Sequence, residues 1–262
     1  MGFCSSNFKK IFILYCMKKI HFKVVKLNRV FTNIAIAFIL LIVGGFAVFA
    51  GVHYTATPAS SVVNGAYYSG DKSSNKVSLM INVYWGTEYL DEILDILDEK
   101  NVKTTFFIGG TWAVMNESYL KKIDERGHEL ANHGYHHKDH DKISQEENIK
   151  QIKNTHVIVE KLLGKEMNLF APPSGAYNKT TVNAASSLGY KTIMWTRDTI
   201  DWRDKDSELV YDRAVKDACG GDLVLMHPTE HTTKALPKII DCLQEKGLKV
   251  TTVSDTIEGV VN

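Results

Sequence analysis

Between Lys76 and Asn262 the chain alternates strand-length apolar runs with helical segments about seven times over roughly 185 residues. The apolar runs are Val77–Val83, Lys103–Ile108, His128–Asn132, Asn168–Ala171, Tyr190–Trp195, Asp222–Met226 and Leu248–Val253. Between them, Glu88–Lys100 sets Leu90, Ile93, Leu94 and Leu97 on one helical face with acids opposite. Further helices are expected over Tyr119–Arg126, from the capping box Ser144-Gln145-Glu146-Glu147 to Leu163, from Asn178 to Gly189, over Glu208–Ala218 and over Lys234–Lys246. Such alternation favours an α/β fold with a parallel sheet, either closed as a barrel or doubly wound.

Polar residues gather just after the strands, at Asn82–Gly86, His133–His137, Pro173–Tyr177, Asp198–Trp202 and His227. In a barrel, carboxyl-end loops meet on one face, where active sites sit. Five of the ten histidines fall between His128 and His140. His133 and His137 are four apart, a spacing that puts two imidazoles on one face of a helical turn, within reach of one metal ion.

The charge is divided along the chain. Seven basic residues (Lys9, Lys10, Lys18, Lys19, Lys23, Lys26 and Arg29) precede an uncharged stretch, Val30–Val52, and every acidic residue lies from Asp71 onward. At ~1.5 Å per residue that stretch spans ~35 Å, enough to cross a bilayer. With the positive charges before it, the amino terminus is expected to stay cytoplasmic and the remainder to be exported. The organisation expected is a basic cytoplasmic segment at 1–29, a transmembrane anchor or signal segment at 30–52, a linker at 53–75 and a domain at 76–262. An uncleaved single-pass anchor in the cell membrane is the reading adopted. The alternative is secretion after cleavage near Ala50, where Val48-Phe49-Ala50 is a small-x-small site. Met17-Lys18-Lys19 reads as an alternative start. The net-acidic domain has no electrostatic footprint for nucleic acid. Of the four cysteines, Cys4 and Cys16 precede the apolar stretch, and Cys219 and Cys242 are expected to be free and packed in the core.

The motifs resemble those of the polysaccharide deacetylases of the NodB-homology type (carbohydrate esterase type 4), within them the sporulation-linked PdaB-like branch, from about Lys76 to Asn262. The resemblance implies a distorted (β/α) barrel of about seven parallel strands, here preceded by a transmembrane helix. It also implies hydrolysis of the N-acetyl amide of cell-wall amino sugars, in peptidoglycan or a similar polysaccharide, with a divalent metal of the zinc or cobalt type. His133 and His137 match the family's His-x-x-x-His pair and are assigned to the metal. Asp198-Thr199-Ile200-Asp201-Trp202 matches Asp-x-x-Asp-Trp, and Leu225-Met226-His227 matches Leu-x-His. His227 is then the general acid, tuned by an aspartate for which Asp198 is the first choice and Asp201 the second. Trp85, Pro173, Tyr177 and Trp202 are the expected substrate contacts.

Two motifs depart from the family. Where Thr-Phe-Asp-Asp-Gly is usual, the chain reads Met80-Ile81-Asn82-Val83-Tyr84-Trp85-Gly86, although Trp85-Gly86 fits the PdaB-like ending. Asn82 stands at the base position and Val83 at a ligand position. Arg-Pro-Pro-x-Gly becomes Ala171-Pro172-Pro173-Ser174-Gly175, without the arginine that would face the base. A carboxamide cannot take a proton from water near neutral pH. An arginine without its anion would be costly to bury, so the two losses are consistent with each other. Two functions follow: an exported deacetylase with weak or rearranged chemistry, or a catalytically retired protein that binds glycan of the cell envelope or spore.

Overall fold

The computed structural model describes residues 38–39 and 61–260. The basic segment, nearly all of the expected membrane span and the first part of the linker lie outside the described residues. Among those described, no helix is long and apolar enough to cross a membrane.

The strands in chain order are β1 (Val62–Val63), β2 (Ala66–Tyr67), β3 (Lys76–Val83), β4 (Thr105–Ile108), β5 (Glu129–Asn132), β6 (Leu169–Phe170), β7 (Lys191–Ile193), β8 (Arg197–Asp198), β9 (Leu223–Met226) and β10 (Lys249–Thr251). They form one sheet in the order β1-β2-β7-β6-β5-β4-β3-β9-β8, with β10 beside the start of β3. Every pairing is parallel except the β1–β2 hairpin. The end strands β1 and β8 do not meet, so the expected barrel is a half-barrel with two free edges. The helices are α1 (Leu90–Glu99), α2 (Gly110–Met115), α3 (Glu117–Glu125), α4 (Gln145–Leu163), α5 (Lys179–Ser187), α6 (Ser207–Val215), α7 (Glu230–Glu245) and α8 (Val253–Thr256).

The period-2 alternation of β3 divides the interior. Val77, Leu79, Ile81 and Val83 point into the layer filled by Leu90, Ile93, Leu94 and Leu97 of α1 and by Leu236, Ile239 and Ile240 of α7. Met80 points the other way, into a smaller cluster with Phe107, Ala131, Ala171, Ile193 and Leu223. Val253 and Ile257 close that cluster. Each fully buried Leu or Ile contributes ~1.5–3 kcal/mol relative to its exposed state.

Helix limits follow local chemistry. Ser144 Oγ accepts the Glu147 N–H at the start of α4, and Gly164 ends it at φ +66°. Asn178 and Thr181 form a reciprocal capping box on α5.

Three expectations need correction. Part of the stretch expected to be a linker enters the sheet. Val62–Val63 and Ala66–Tyr67 pair across Asn64-Gly65, both at positive φ, and β2 then adds to β7. An Asn-Gly pair between two apolar dipeptides is the turn that matches the twist of a hairpin. Helix α7 starts at Glu230 rather than Lys234, because Thr229 Oγ1 accepts the Thr232 N–H and caps it. Cys219 and Cys242 are free as expected, and Cys242, partly buried, packs against the core, but Cys219 is exposed.

Candidate active site

Asn82 on β3, His133 and His137 after β5, Ser174 after β6, Trp195 after β7, Asp198 and Trp202 at and after β8, and Leu225 and His227 on and after β9 line one cavity of about 350 Å³. Trp85, beyond the end of β3, completes the lining. All sit at the carboxyl ends of parallel strands, the end where α/β sheets present their loops to ligands.

His133 and His137 do not share a helical turn. They lie in a loop with Gly134 at φ +72° and His137 at φ +51°, which folds the two rings to 5.2 Å between centroids. Asn132 Oδ1 accepts the Gly134 N–H, and Gln151 Oε1 of α4 accepts the His136 N–H. A side chain at position 134 would press on His140 Nε2 at 3.0 Å and demand left-handed backbone, so the turn needs glycine. His133 donates Nδ1–H to the carbonyl of Ala171 at 2.8 Å, which leaves a lone pair on Nε2. Burial first, and then the neighbouring His137, hold the His133 imidazole well below its usual range. Burial also lowers His137. Both rings are neutral at pH 7.

The structure reverses the order of the two aspartates. Asp201, and not Asp198, holds His227. Asp201 Oδ1 accepts the ring Nδ1–H at 2.8 Å, and Oδ2 accepts the His227 backbone N–H at 2.6 Å. Thr232 Oγ1 in the first turn of α7 also donates to Asp201 Oδ2. Asp198 Oδ1 instead accepts the Ile200 N–H at 2.8 Å and supports a turn in which Ile200 has φ +53°. The reason is the turn itself: the chain reverses between the two carboxylates, and only Asp201 is brought beneath β9.

Asn82 is 4% exposed, and its Oδ1 is buried without a hydrogen-bond donor. Two stacks stand beside it. Tyr84 lies on His137 with centroids 4.0 Å apart, and Trp85 lies on His227 at 5.4 Å.

Other expected residues are elsewhere. Val83 is fully buried in the helix-side layer, opposite in direction to Asn82, so it does not face the cavity at all. Ala171 is buried in the inner cluster. Pro173 is buried outside the cavity lining, and Tyr177 is hydrogen-bonded to Tyr68 at 2.9 Å between hydroxyls, its phenol pushed up to about 12 by burial. Ser174 and Leu225, motif residues given no role in the sequence, line the cavity, and so does Trp195, which belongs to no motif. Trp195 ends an apolar strand, and its ring lies 2.8 Å from where a Cβ on Gly175 would stand. The strand-end position of an aromatic beside the Pro-Pro-Ser-Gly loop was the available signal.

A catalytic zinc takes three protein ligands and keeps one open position. The cavity supplies the neutral imidazoles of His133 and His137, the carboxamide of Asn82, the carboxylate of Asp198, whose Oδ1 is held by the Ile200 N–H, and His227, whose Nδ1 is held by Asp201. Asp139, the nearest acid in the histidine loop, is paired with Lys142 at 2.7 Å. Among the described residues no group of three or more His, Cys, Asp or Glu side chains converges to hold a metal ion. The residues do not fit a tightly held catalytic metal.

Residues 69–193 match the family model described as polysaccharide deacetylase. The chain is 36% identical over 191 residues to the uncharacterized protein YlxY of Bacillus subtilis (strain 168), covering 73% of this chain and 60% of that protein. It is 30% identical over 203 residues to a peptidoglycan-N-acetylglucosamine deacetylase of Bacillus cereus, covering 75% and 74%. The crystal structure of wild-type BA3943, a CE4 family pseudoenzyme from Bacillus anthracis, superposes with a TM-score of 0.73 at 36% identity, covering 75% of this chain and 70% of that one. A mutant of that protein with restored enzymatic activity superposes equally well, with a TM-score of 0.73. The matched motifs, the half-barrel and the cavity at its carboxyl rim agree with these likenesses, and the chain belongs to the polysaccharide deacetylase (CE4) family.

Proposed function

We propose that the domain is a retired deacetylase that holds an amino-sugar glycan of the cell-wall type in its cavity without hydrolysing it. One observation carries the reading: the side chain at the base position is a carboxamide, buried and short of a donor for its oxygen. Deacetylation of an amide needs a proton acceptor for water and a charge stabiliser for the oxyanion. Asn82 supplies no proton acceptor, and Val83, at the family's ligand position, brings no carboxylate beside the two imidazoles. Loss of general-base help alone costs about 10²–10⁴-fold. Exposed Trp85 and Trp202 supply the flat apolar faces on which sugar rings stack. Peptidoglycan-deacetylating and pseudoenzyme relatives support this reading alike.

The intact Asp201–His227 pair favours a second reading, a slow deacetylase that keeps its general acid. The two separate on one experiment. The full-length protein is incubated with N-acetylglucosamine oligomers and with muropeptides, with added Zn²⁺ or Co²⁺, and both acetate and binding are measured. Binding without acetate release is expected. Acetate release that disappears in His227→Ala would overturn the proposal in favour of the slow enzyme. The proposal extends to location: a domain exposed outside the cell and tethered through residues 30–52.

A further inference from the structure

The two ends of the Asn82 carboxamide stand in different surroundings. Asn82 continues the face of Met80 on β3 and has Phe107 of β4 as its register partner, so its neighbours on that face belong to the apolar inner cluster. Its Oδ1 is buried without a donor. A buried carbonyl oxygen left unpaired costs stability, whereas an apolar side chain of the same shape would not. The amide nitrogen is placed otherwise. Asn82 lines the cavity, and its Nδ2 is neither buried nor paired among the described residues. Nδ2 is thus the end turned to the cavity, with two hydrogens to give. Depth decides what can reach it. Asn82 is nearly buried, whereas Trp85 and Trp202 on the same lining are exposed. A sugar ring stacked on those indoles reaches the Asn82 nitrogen only through a substituent that projects inward.

We infer that Asn82 is the residue with which this cavity recognises an intact acetamide, its Nδ2–H donating to the acetyl carbonyl oxygen of an N-acetylated amino sugar. The inference rests on the reading of the domain as a glycan binder and names what sets the specificity of that site. An amide carbonyl accepts and has no hydrogen to give, the complement of a carboxamide nitrogen, which donates and does not accept. A protonated amine would bring donors to a donor. A carboxylate at position 82 would meet the acetyl oxygen as acceptor against acceptor. The carboxamide therefore does more than remove a proton acceptor: it turns a position suited to act on water into one that holds the acetyl group. The acetamide N–H is left for an acceptor on the wall, such as the Asp198 carboxylate, of which Oδ1 accepts from Ile200. This role also gives a reason for a polar side chain where one of its atoms is left unpaired against an apolar cluster.

The test is calorimetric titration of the full-length protein and of its Asn82→Leu variant, in buffer with EDTA near neutral pH, with N-acetylglucosamine tetramer and with glucosamine tetramer. Leucine keeps the size of the side chain and removes the donor. The variant is expected to bind the acetylated tetramer about fivefold more weakly than the unaltered protein, the worth of one hydrogen bond, and to bind the glucosamine tetramer unchanged. Its thermal unfolding midpoint is expected to be no lower, because an unpaired oxygen gives way to a methyl group. Asn82→Ala, smaller on every side, carries the same expectation for binding and serves if leucine disturbs the fold. Equal binding of the acetylated tetramer by variant and unaltered protein would overturn the inference and mean that the carboxamide turns its oxygen to the cavity. Losses of equal size for both tetramers would overturn it as well, since Asn82 would then only shape the cavity. Both outcomes leave the glycan-binding reading standing. Binding of the glucosamine tetramer alone by the unaltered protein would overturn the recognition of acetyl. Failure of the unaltered protein to bind either tetramer would overturn the inference and the glycan-binding reading together.

Discussion

Asn82 and Val83 are neighbours in sequence and opposites in environment. Asn82 borders the cavity, and Val83 is sealed in the helix-side layer. Restoring the family's acids at these positions therefore has two different outcomes. Asn82→Asp alone buries a carboxylate without a cation and is expected to cost about 2–4 kcal/mol in urea unfolding. Combining it with Ala171→Arg is expected to recover at least ~1 kcal/mol of that loss, measured by a double-mutant cycle, because the family resemblance sets these two positions against each other. The restored activity of the BA3943 mutant makes acetate release by this double variant a second readout. Val83→Asp is expected to destabilise by ~3–5 kcal/mol and to add no activity, as its carboxylate would enter the apolar layer that also holds Leu90, Ile93 and Trp112. A stable, active Val83→Asp protein would overturn the placement of Val83 in the helix-side layer. Among the histidines, His128 sits away from the cavity, accepting the Thr104 N–H at 3.3 Å, and burial lowers its imidazole from 6.5 to about 4. The folded form thus resists protonation that the unfolded chain accepts. Its contribution is complete above pH 6.5 and is lost as the pH falls toward 4, about 3 kcal/mol over that window. His128→Gln is expected to remove that part of the acid dependence of the unfolding free energy.

At the scale of elements, local chemistry marked most boundaries and missed those that depend on partners. The α4 limits at Ser144 and Gly164 were legible because a side-chain cap and a left-handed glycine are sequence-local devices. The β1–β2 hairpin was not singled out, since two-residue strands have no period to read; they exist because β2 finds an edge on β7. Its turn is nonetheless strict. Gly65 has φ +79°, and an added Cβ would lie 2.7 Å from Val182 Cγ1. Gly65→Ala is therefore expected to lower stability by about 1–3 kcal/mol, while Asn64→Gly, at φ +51°, is expected to be nearly neutral. Thermal unfolding of the two variants decides the point. Helix α2 is not legible for a related reason: its six residues begin at the second glycine of Gly109-Gly110 and form a helix where Trp112 donates its indole N–H to the Gly86 carbonyl at 2.8 Å.

For the whole molecule, the charge division along the chain leads to a prediction about place. In intact cells making the full-length protein, added protease is expected to degrade the domain, and alkaline washing is expected to leave the protein in the membrane fraction. Recovery in the soluble fraction with protection from protease would remove the anchored reading. The sequence by itself determined the α/β alternation, the caps, and the absence of a proton-accepting carboxylate at position 82, because period, capping and functional-group chemistry are properties of neighbouring residues. It also placed His133, His137 and His227 at strand ends, where a parallel sheet carries them to one rim. Only the tertiary structure decided that the barrel stays open, that Val83 turns from the cavity, that Asp201 rather than Asp198 holds His227, and that Trp195 joins the lining. Those outcomes depend on which face a strand residue presents and on how far a turn carries a carboxylate. Both are fixed by contacts between segments far apart in the chain, which no local pattern encodes.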